Sequence, residues 1–295
     1  MRVTFNTLNN GLDAINTAAE QFSDAQWQVS TGKRLRHLST DPAGAQRAVV
    51  ERTELVTIDS YQRAGSAATT RLAALDQTLG DMIDQIIRAR VAASSGRPDV
   101  ASAETRAAAA TTLAGIREAI AHDINLKIDG QFVFSGSMSN MQPYANGGGG
   151  WAYQGDAASV TAEVERGRRV TFTMDGRAIL QGSDATDVLT TIDSVITAVQ
   201  AGDTANIDAG IDALQRAFQR VTRAQSQIGT DQVSVDDSGA RLQQLHLASL
   251  ARVSKVEDAN MAEAITRMTH AQTAYNAALA AVGTSGRNTL LDYLR

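Results

Sequence analysis

Apolar residues recur at alternating steps of three and four along much of the chain, the spacing that places one apolar stripe on one face of a helix. The first stretch of this kind predicts a helix over residues 8–30. It has polar Gln26 at one stripe position, and its apolar members are Leu8, Leu12, Ile15, Ala19, Phe22 and Val29.

The second stretch predicts a long helix from Pro42 to Ser95, about 80 Å at roughly 1.5 Å per residue. Asp41 is suited to be its N-cap, and Pro42 fits the first turn, where a missing N–H leaves no bond unmade. Gly96 followed by Pro98 supplies the stop signal. The stripe has no missed step and consists of Ile58, Tyr61, Gly65, Ala68, Leu72, Leu75, Leu79, Met82, Ile86, Ala89 and Ala93. We expect the part from Leu72 to Ile86 to be core within the chain.

A third helix is predicted over residues 99–128, returning antiparallel to the second, with Leu113, Ile116, Ile120 and Ile124 on its stripe. Four short runs rich in β-branched and aromatic residues then predict an antiparallel β insertion over residues 131–184. The four glycines at 147–150 are interpreted as a mobile surface loop of that insertion.

Helical spacing resumes at Val188 and continues on a ladder that runs from Ile207 to Ile228. The last helix is predicted to end at Gly283 and Gly286, because glycine disfavours helix. Its stripe consists of Met261, Ala264, Met268, Ala271, Tyr275, Ala278 and Val282.

The predicted fold class is mainly α, with long antiparallel helical rods, paired terminal helices and a small antiparallel β insertion domain. The predicted domains are a terminal coiled-coil assembly domain (1–41 and 256–295), a helical rod domain (42–130 and 185–255) and a β-rich outer domain (131–184).

The two terminal helices are the candidate functional site. An isolated amphipathic helix cannot bury its own stripe, so both ends need partners. We interpret Leu8, Leu12, Ile15, Phe22 and Val29, together with the stripe of the last helix, as an interface for assembly with neighbouring copies. The alanines of the two stripes, Ala19, Ala264, Ala271 and Ala278, offer little area to bury, so we also expect the ends to be partly disordered before assembly.

Composition excludes several classes of function. The 32 acidic and 27 basic residues give a net charge of −5, which provides no footprint for a nucleic-acid backbone. The absence of cysteine removes disulfides and thiol chemistry. No stretch predicts a membrane span, and the first residues do not have the pattern of a cleaved signal peptide.

Candidate chemistry is weak. Thr31, Gly32 and Lys33 look like the end of a phosphate-binding loop, but Trp27 and Arg34 stand where that loop needs glycine and Ser or Thr. The four histidines lack metal-ligand spacing: His37, His122, His246 and His270. We therefore expect no cofactor, no metal and no enzymatic activity.

Two segments carry a resemblance to a known family. QVSTGKRLRHLSTDPAGAQRA, residues 28–48, and VEDANMAEAITRMTHAQTAYNAAL, residues 256–279, resemble the terminal regions of bacterial flagellins. The runs DGQFVFSGSMSNMQPY, YQGD and NTLLDYLR are more similar to the hook-filament junction members of that family than to filament flagellins.

The resemblance implies an extracellular structural subunit of the flagellum, exported by the flagellar apparatus without a cleaved signal. Its implied partners are the first junction protein on the hook, flagellin, further copies of itself in a ring, and an export chaperone. Two alternatives remain: a filament-forming flagellin, which would assemble without a limit, and a secreted helical adhesin with a β recognition domain.

Overall fold

The computed structural model describes residues 2–36, 39, 41–147 and 150–293, with the side chains of residues 2–8 and 285–293 left out. The chain divides into two compact units. Unit 1 comprises Met1–Ile58 and Gln244–Arg295, and unit 2 comprises Asp59–Gln243.

Seven helices account for most of the described chain. They are α1 (Arg2–Thr31), α2 (Pro42–Ser95), α3 (Ala103–Ile124), α4 (Gly176–Leu180), α5 (Val188–Ala201), α6 (Thr204–Glu257) and α7 (Met261–Tyr293). The predicted bounds of α2 are confirmed, and the predicted mainly α fold with a small β insertion is also confirmed.

Unit 2 is built on the large apolar side chains of the α2 stripe. Leu72, Leu75, Leu79, Met82 and Ile86 have no exposed surface, which confirms that this part of the stripe is core within the chain. They form one cluster with the buried residues of α3, α5 and α6. A Cβ added at Gly65 would lie 4.0 Å from Val235, and one at Gly80 3.5 Å from Gln225, so α2 and α6 run antiparallel.

Helix α3 is shorter than predicted, and its predicted bounds of 99 and 128 are wrong. Ser102 ends the connection from α2 by capping α3, since its hydroxyl accepts a hydrogen bond from the amide of Thr105 at 3.2 Å. At the other end, Lys127 and Ile128 leave the helix and form the first strand. The predicted stripe residues Leu113, Ile116, Ile120 and Ile124 are buried.

Three antiparallel hairpins form the β insertion. The first joins β1 (Lys127–Ile128) to β2 (Gln131–Phe132) through Asp129 and Gly130, whose φ angles of 53° and 77° suit a two-residue turn. The second joins β3 (Tyr144–Gly147) to β4 (Gly150–Tyr153), and the third joins β5 (Thr161–Glu165) to β6 (Arg168–Thr171). Gly147 pairs with Gly150 in the second ladder, so these two glycines are strand ends and not loop. Residues 148 and 149 lie outside the described residues.

The second hairpin is fixed to α3 by one asparagine. The side chain of Asn125 accepts a hydrogen bond from the Tyr144 amide at 2.9 Å and donates one to the Tyr144 carbonyl at 2.9 Å. Tyr144 itself is buried and lies against the ring of Tyr153, with 5.3 Å between the ring centroids. The insertion therefore shares its core with the helices of unit 2.

Helix α7 continues past the predicted stop at Gly283 and Gly286, so that prediction is wrong. Gly283 is not among the residues with positive φ, and a Cβ placed on it would meet nothing within 4 Å. A glycine inside a helix costs about 1 kcal/mol relative to alanine, a penalty that weakens a helix without ending it.

Candidate assembly site

Helices α1 and α7 pack against each other in unit 1 along a seam of small residues. Gly11 lies so close to Val282 that a Cβ on the glycine would be 2.8 Å from a Val282 methyl group. Further along, the rings of Phe22 and Tyr275 lie nearly parallel, with centroids 6.4 Å apart. The pairing of the two terminal helices is thus a contact within one chain.

The structure brings most of the predicted interface residues into or beside this seam. Ala264 is buried, and those that are half-buried are Ile15, Phe22, Val29, Met268, Ala271, Tyr275, Ala278 and Val282. Leu12 and Met261 do not lie in the seam, since they are 48 % and 42 % exposed. The side chain of Leu8 lies outside the described residues. Whether any of these residues also contacts another copy stays a prediction.

The seam on α1 is offset from the predicted stripe. Its least exposed positions include Gly11, Ala18 and Ala25, one residue before Leu12, Ala19 and Gln26 of the predicted stripe. Small residues give a weak hydrophobic signal in a sequence, but they allow two helix backbones to approach closely. At the first of these positions the apolar pattern therefore favoured Leu12 over its smaller neighbour Gly11.

A second feature of unit 1 joins the turn after α1 to the end of α6, and we call it the clasp: Gly32, Lys33, Arg34, Arg52 and residues 256–259. Two backbone hydrogen bonds form its frame, from the Arg34 amide to the Glu257 carbonyl at 2.6 Å and from the Ala259 amide to the Gly32 carbonyl at 2.8 Å. Gly32 has a φ of 67°, which glycine adopts without strain.

Opposite charges complete the clasp. The Glu257 carboxylate, only 8 % exposed, accepts two bonds of 2.7 Å from the Arg52 guanidinium and lies 3.6 Å from the Lys33 ammonium. Lys33 also donates to Asp258 at 2.7 Å. Arg52 and then Lys33 hold the pKa of Glu257 below its usual range, and the hydrogen bond from Lys33 does the same for the pKa of Asp258. The pKa of Lys33 is raised by the hydrogen bond to Asp258.

Arg34 connects the clasp to the start of α2. Its guanidinium donates to the Val256 carbonyl at 3.0 Å and to the Asp41 carboxylate at 2.9 Å. The other Asp41 oxygen accepts the Gly44 amide at 2.9 Å, the bond expected of an N-cap when Pro42 is the first helical residue. The Gly44 amide, and then Arg34, lower the pKa of Asp41.

The clasp was not predicted from the sequence, where Thr31 to Lys33 were compared with a phosphate-binding loop and were part of the family-like segment 28–48. The sequence did contain a usable signal at the helix ends. Two adjacent cations, Lys33 and Arg34, follow α1, and two adjacent carboxylates, Glu257 and Asp258, precede α7. In the structure Lys33 points its ammonium at carboxylates, which leaves it unsuited to a phosphate. These contacts agree with the mismatch to a phosphate-binding loop that the sequence already indicates at Trp27 and Arg34.

Apolar side chains in unit 1 are distributed in an unusual way. Its described buried apolar residues are small, with the one exception of Ile58. The small ones are Ala18, Ala25, Ala45, Ala48 and Ala264. Its exposed large ones are Leu12, Val49, Val50, Val56, Leu245, Leu247, Leu250, Met261, Ile265 and Leu279. Unit 2, the larger unit, exposes fewer: Ile87, Val91, Val100, Met138, Met141, Val160 and Val233. The described part of unit 1 thus exposes large apolar side chains while its buried set is mainly alanine, a distribution that favours packing against a partner.

Other kinds of site find no support in the part of the chain that the structure describes. No cluster of three or more potential metal ligands occurs among those residues. Within the same ranges, no helix has the length and hydropathy to cross a membrane.

Comparison with known families agrees with this helical organisation. The family model for the bacterial flagellin N-terminal helical region matches residues 4–139, and the model for the bacterial flagellin C-terminal helical region matches residues 211–294. The chain belongs to the bacterial flagellin family. The two matches include both parts of unit 1 and continue into unit 2.

Within the flagellin family, the chain is similar to proteins named flagellar hook-associated protein 3. It is 29 % identical to the one from Salmonella typhimurium over 163 residues, which cover 53 % of this chain and 51 % of that protein. It is 25 % identical to the one from Escherichia coli over 239 residues, which cover 70 % of this chain and 74 % of that protein. The first match spans about half the length of the relative.

Solved structures show the same fold. A candidate flagellar hook-associated protein from Vibrio parahaemolyticus aligns with a TM-score of 0.70 at 21 % identity, over 74 % of this chain and all of that one. Flagellar hook-associated protein 3 from Legionella pneumophila aligns with a TM-score of 0.63 at 14 % identity, over 70 % of this chain and 98 % of that one. At these identities the likeness concerns the fold alone.

Proposed function

We propose that this flagellin-family chain is a structural subunit of the bacterial flagellum that joins the hook side to the flagellin filament, and that it has no enzymatic activity. The observation that carries the proposal is the surface of unit 1, where large apolar side chains are exposed while alanines form most of the buried set. Such a unit gains stability by packing against other subunits. Similarity to proteins named flagellar hook-associated protein 3 favours the junction over the filament.

In this role the chain assembles into a ring with copies of itself. The first junction protein lies on its hook side and flagellin on its filament side. It acts outside the cell after export through the flagellar apparatus, with an export chaperone as a further partner. The paired helices α1 and α7 supply the assembly surface. The predicted interface residues in the seam hold the two helices together, and the exposed ones beside the seam contact neighbouring subunits.

Deletion of the encoding gene in the source bacterium tests this function. We expect hooks that carry the first junction protein but no filament, with flagellin released into the medium. Restoration of filaments by the intact gene is the control. Normal filaments in the deletion strain would overturn the proposal.

Purified protein added to filament seeds separates the two flagellar roles. A junction subunit is expected to stop after a limited addition, whereas a flagellin would extend the seeds without limit. An adhesin would leave both filaments and motility unchanged when deleted.

A further inference from the structure

A groove with a positive lining lies in unit 1 between the start of α2 and the end of α6. We call it the basic groove; it has a volume of about 500 Å³ and is lined by Gln46, Arg47, Val50, Glu51, Arg252, Lys255 and Val256. Glu51 is neutralised by Arg252 at 2.8 Å. Among the described residues, neither Arg47 nor Lys255 has a carboxylate within ion-pair distance, and Arg47 acts on the Asp41 carboxylate only at longer range. Both cations can therefore form ion pairs with a partner.

The groove also has an apolar component. Val50, which lines it, is 61 % exposed, and its neighbour Val49 is exposed as well. Exposed valines beside cations that lack a close ion-pair partner form a surface that suits a helix with both apolar and acidic side chains. Burial of the valines would supply binding energy, and the cations would select the sign and register of the partner.

Helix α1 presents such a combination on the side away from α7. At 100° per residue, Asp13 and Glu20 lie opposite the seam positions Gly11 and Phe22. Residues 3–32 contain no Lys, Arg or His, so this acidic face has one sign of charge. Asp24 pairs with Arg36, but Asp13 and Glu20 have no cation within ion-pair distance among the described residues.

We propose that α1 of a second copy of this chain lies in the basic groove, with Asp13 and Glu20 beside Arg47 and Lys255. The proposal rests on the proposed function, because it names one contact between copies in the assembled ring. Two carboxylates about 10 Å apart along a helix need two separate cations, and the groove supplies two. Leu12, which flanks the acidic face and is exposed, then packs near Val50.

This contact gives the two sides of α1 different partners. The seam side holds α7 of the same chain through Phe22 and Tyr275. The acidic face holds the next copy. A helix that is bound on both sides no longer depends on its small seam area for stability.

Charge reversal with rescue tests the contact in full-length protein expressed in the deletion strain. Arg47→Glu with Lys255→Glu, or Asp13→Lys with Glu20→Lys, is expected to reduce the fraction of hooks with filaments about tenfold, since like charges then face each other. Combining all four substitutions is expected to restore filaments. Arg63→Glu with Arg88→Glu, two exposed arginines of unit 2, is the matched control and is expected to change nothing.

Filaments at the normal frequency with either reversed pair would overturn the contact. So would a fourfold variant as defective as the pairs, because the groove would then face flagellin or the first junction protein, whose charges have not changed. Secreted protein is quantified in the medium, and circular dichroism of the purified variants confirms that each one folds.

Cross-linking gives an independent readout, because the chain has no cysteine of its own. Single variants Leu12→Cys and Val50→Cys are co-expressed in the deletion strain, and isolated hook-filament structures are treated with a short bismaleimide. A dimer containing one copy of each variant supports the contact, and its absence would contradict it. Normal filaments in the untransformed deletion strain would instead mean that the proposed function has failed.

Discussion

Removal of one buried charge tests the clasp. Glu257→Gln keeps the shape of the side chain but replaces the carboxylate that binds Arg52 through two bonds of 2.7 Å. Charge-assisted hydrogen bonds contribute about 1.5–3 kcal/mol each where they are buried, and much less where they are exposed. Arg52 and Lys33 are largely solvated, so we expect a net loss of about 2 kcal/mol from the free energy of unfolding of unit 1.

The measurement is urea unfolding followed by tryptophan fluorescence. The chain has two tryptophans, and a Trp151→Phe background leaves Trp27 on α1 to report on unit 1 alone. A loss of this size lowers the urea midpoint by about 1–2 M for a unit of this size. Glu263→Gln is the matched control, because Glu263 pairs with Arg267 on the surface of α7 and contributes about 0.3 kcal/mol.

The pH dependence of this loss has a defined sign. The pKa of Glu257 is lower in the folded chain than its ordinary value of 4.5, so its contribution is present in full above pH 4.5 and is lost as pH falls through the folded pKa. The difference between Glu257→Gln and the parent should therefore be full at pH 7 and shrink in acid. Equal midpoints for the Glu257 and Glu263 variants at pH 7 would refute the role of the clasp.

Three further outcomes follow from the packing. Leu79→Ala is expected to destabilise unit 2 by about 3 kcal/mol, whereas Val233→Ala, at an exposed position, should change stability by less than about 0.5 kcal/mol; urea unfolding of both variants measures the difference. Gly44→Ala is expected to lower stability, because its Cβ would collide with the Asp41 carboxylate that caps α2, and a thermal melt that matches the parent would contradict this. Gly115→Ala should instead raise stability by about 1 kcal/mol, since the site is helical and open, and a lower melting temperature would contradict that.

The fold of unit 2 could largely be predicted from the sequence because its core uses large side chains at regular spacing. Leu72 and Ile86 occupy the positions that a three-four pattern assigns to a core, and both are buried. The bounds of α2 were also accessible, because Asp41 with Pro42 and Gly96 with Pro98 are unambiguous start and stop signals.

Prediction failed where small residues or local hydrogen bonds determine the structure. Gly11 and Ala18 form the seam of α1 without a strong hydrophobic signal. The start of α3 is determined by the Ser102 cap, a local hydrogen bond that apolar periodicity does not report. Gly283 did not end α7, since no left-handed cap forms there.

The clasp required knowledge of which helix ends meet. Lys33 and Asp258 are 225 positions apart along the chain, and nothing in a periodicity analysis connects them. The charge of each residue is plain in the sequence, but its partner follows only from the antiparallel pairing of α1 with α7. Long-range ion pairs of this kind have to be found in the structure.

Location within the flagellum tests the central claim most directly. Met141 is exposed in unit 2, and Met141→Cys introduces a single thiol into a chain that has none, so a maleimide label marks this protein alone. On isolated flagella viewed by electron microscopy with a gold-coupled label, we predict one labelled band where the hook meets the filament. Label along the whole filament, or on the cell surface away from flagella, would contradict the account.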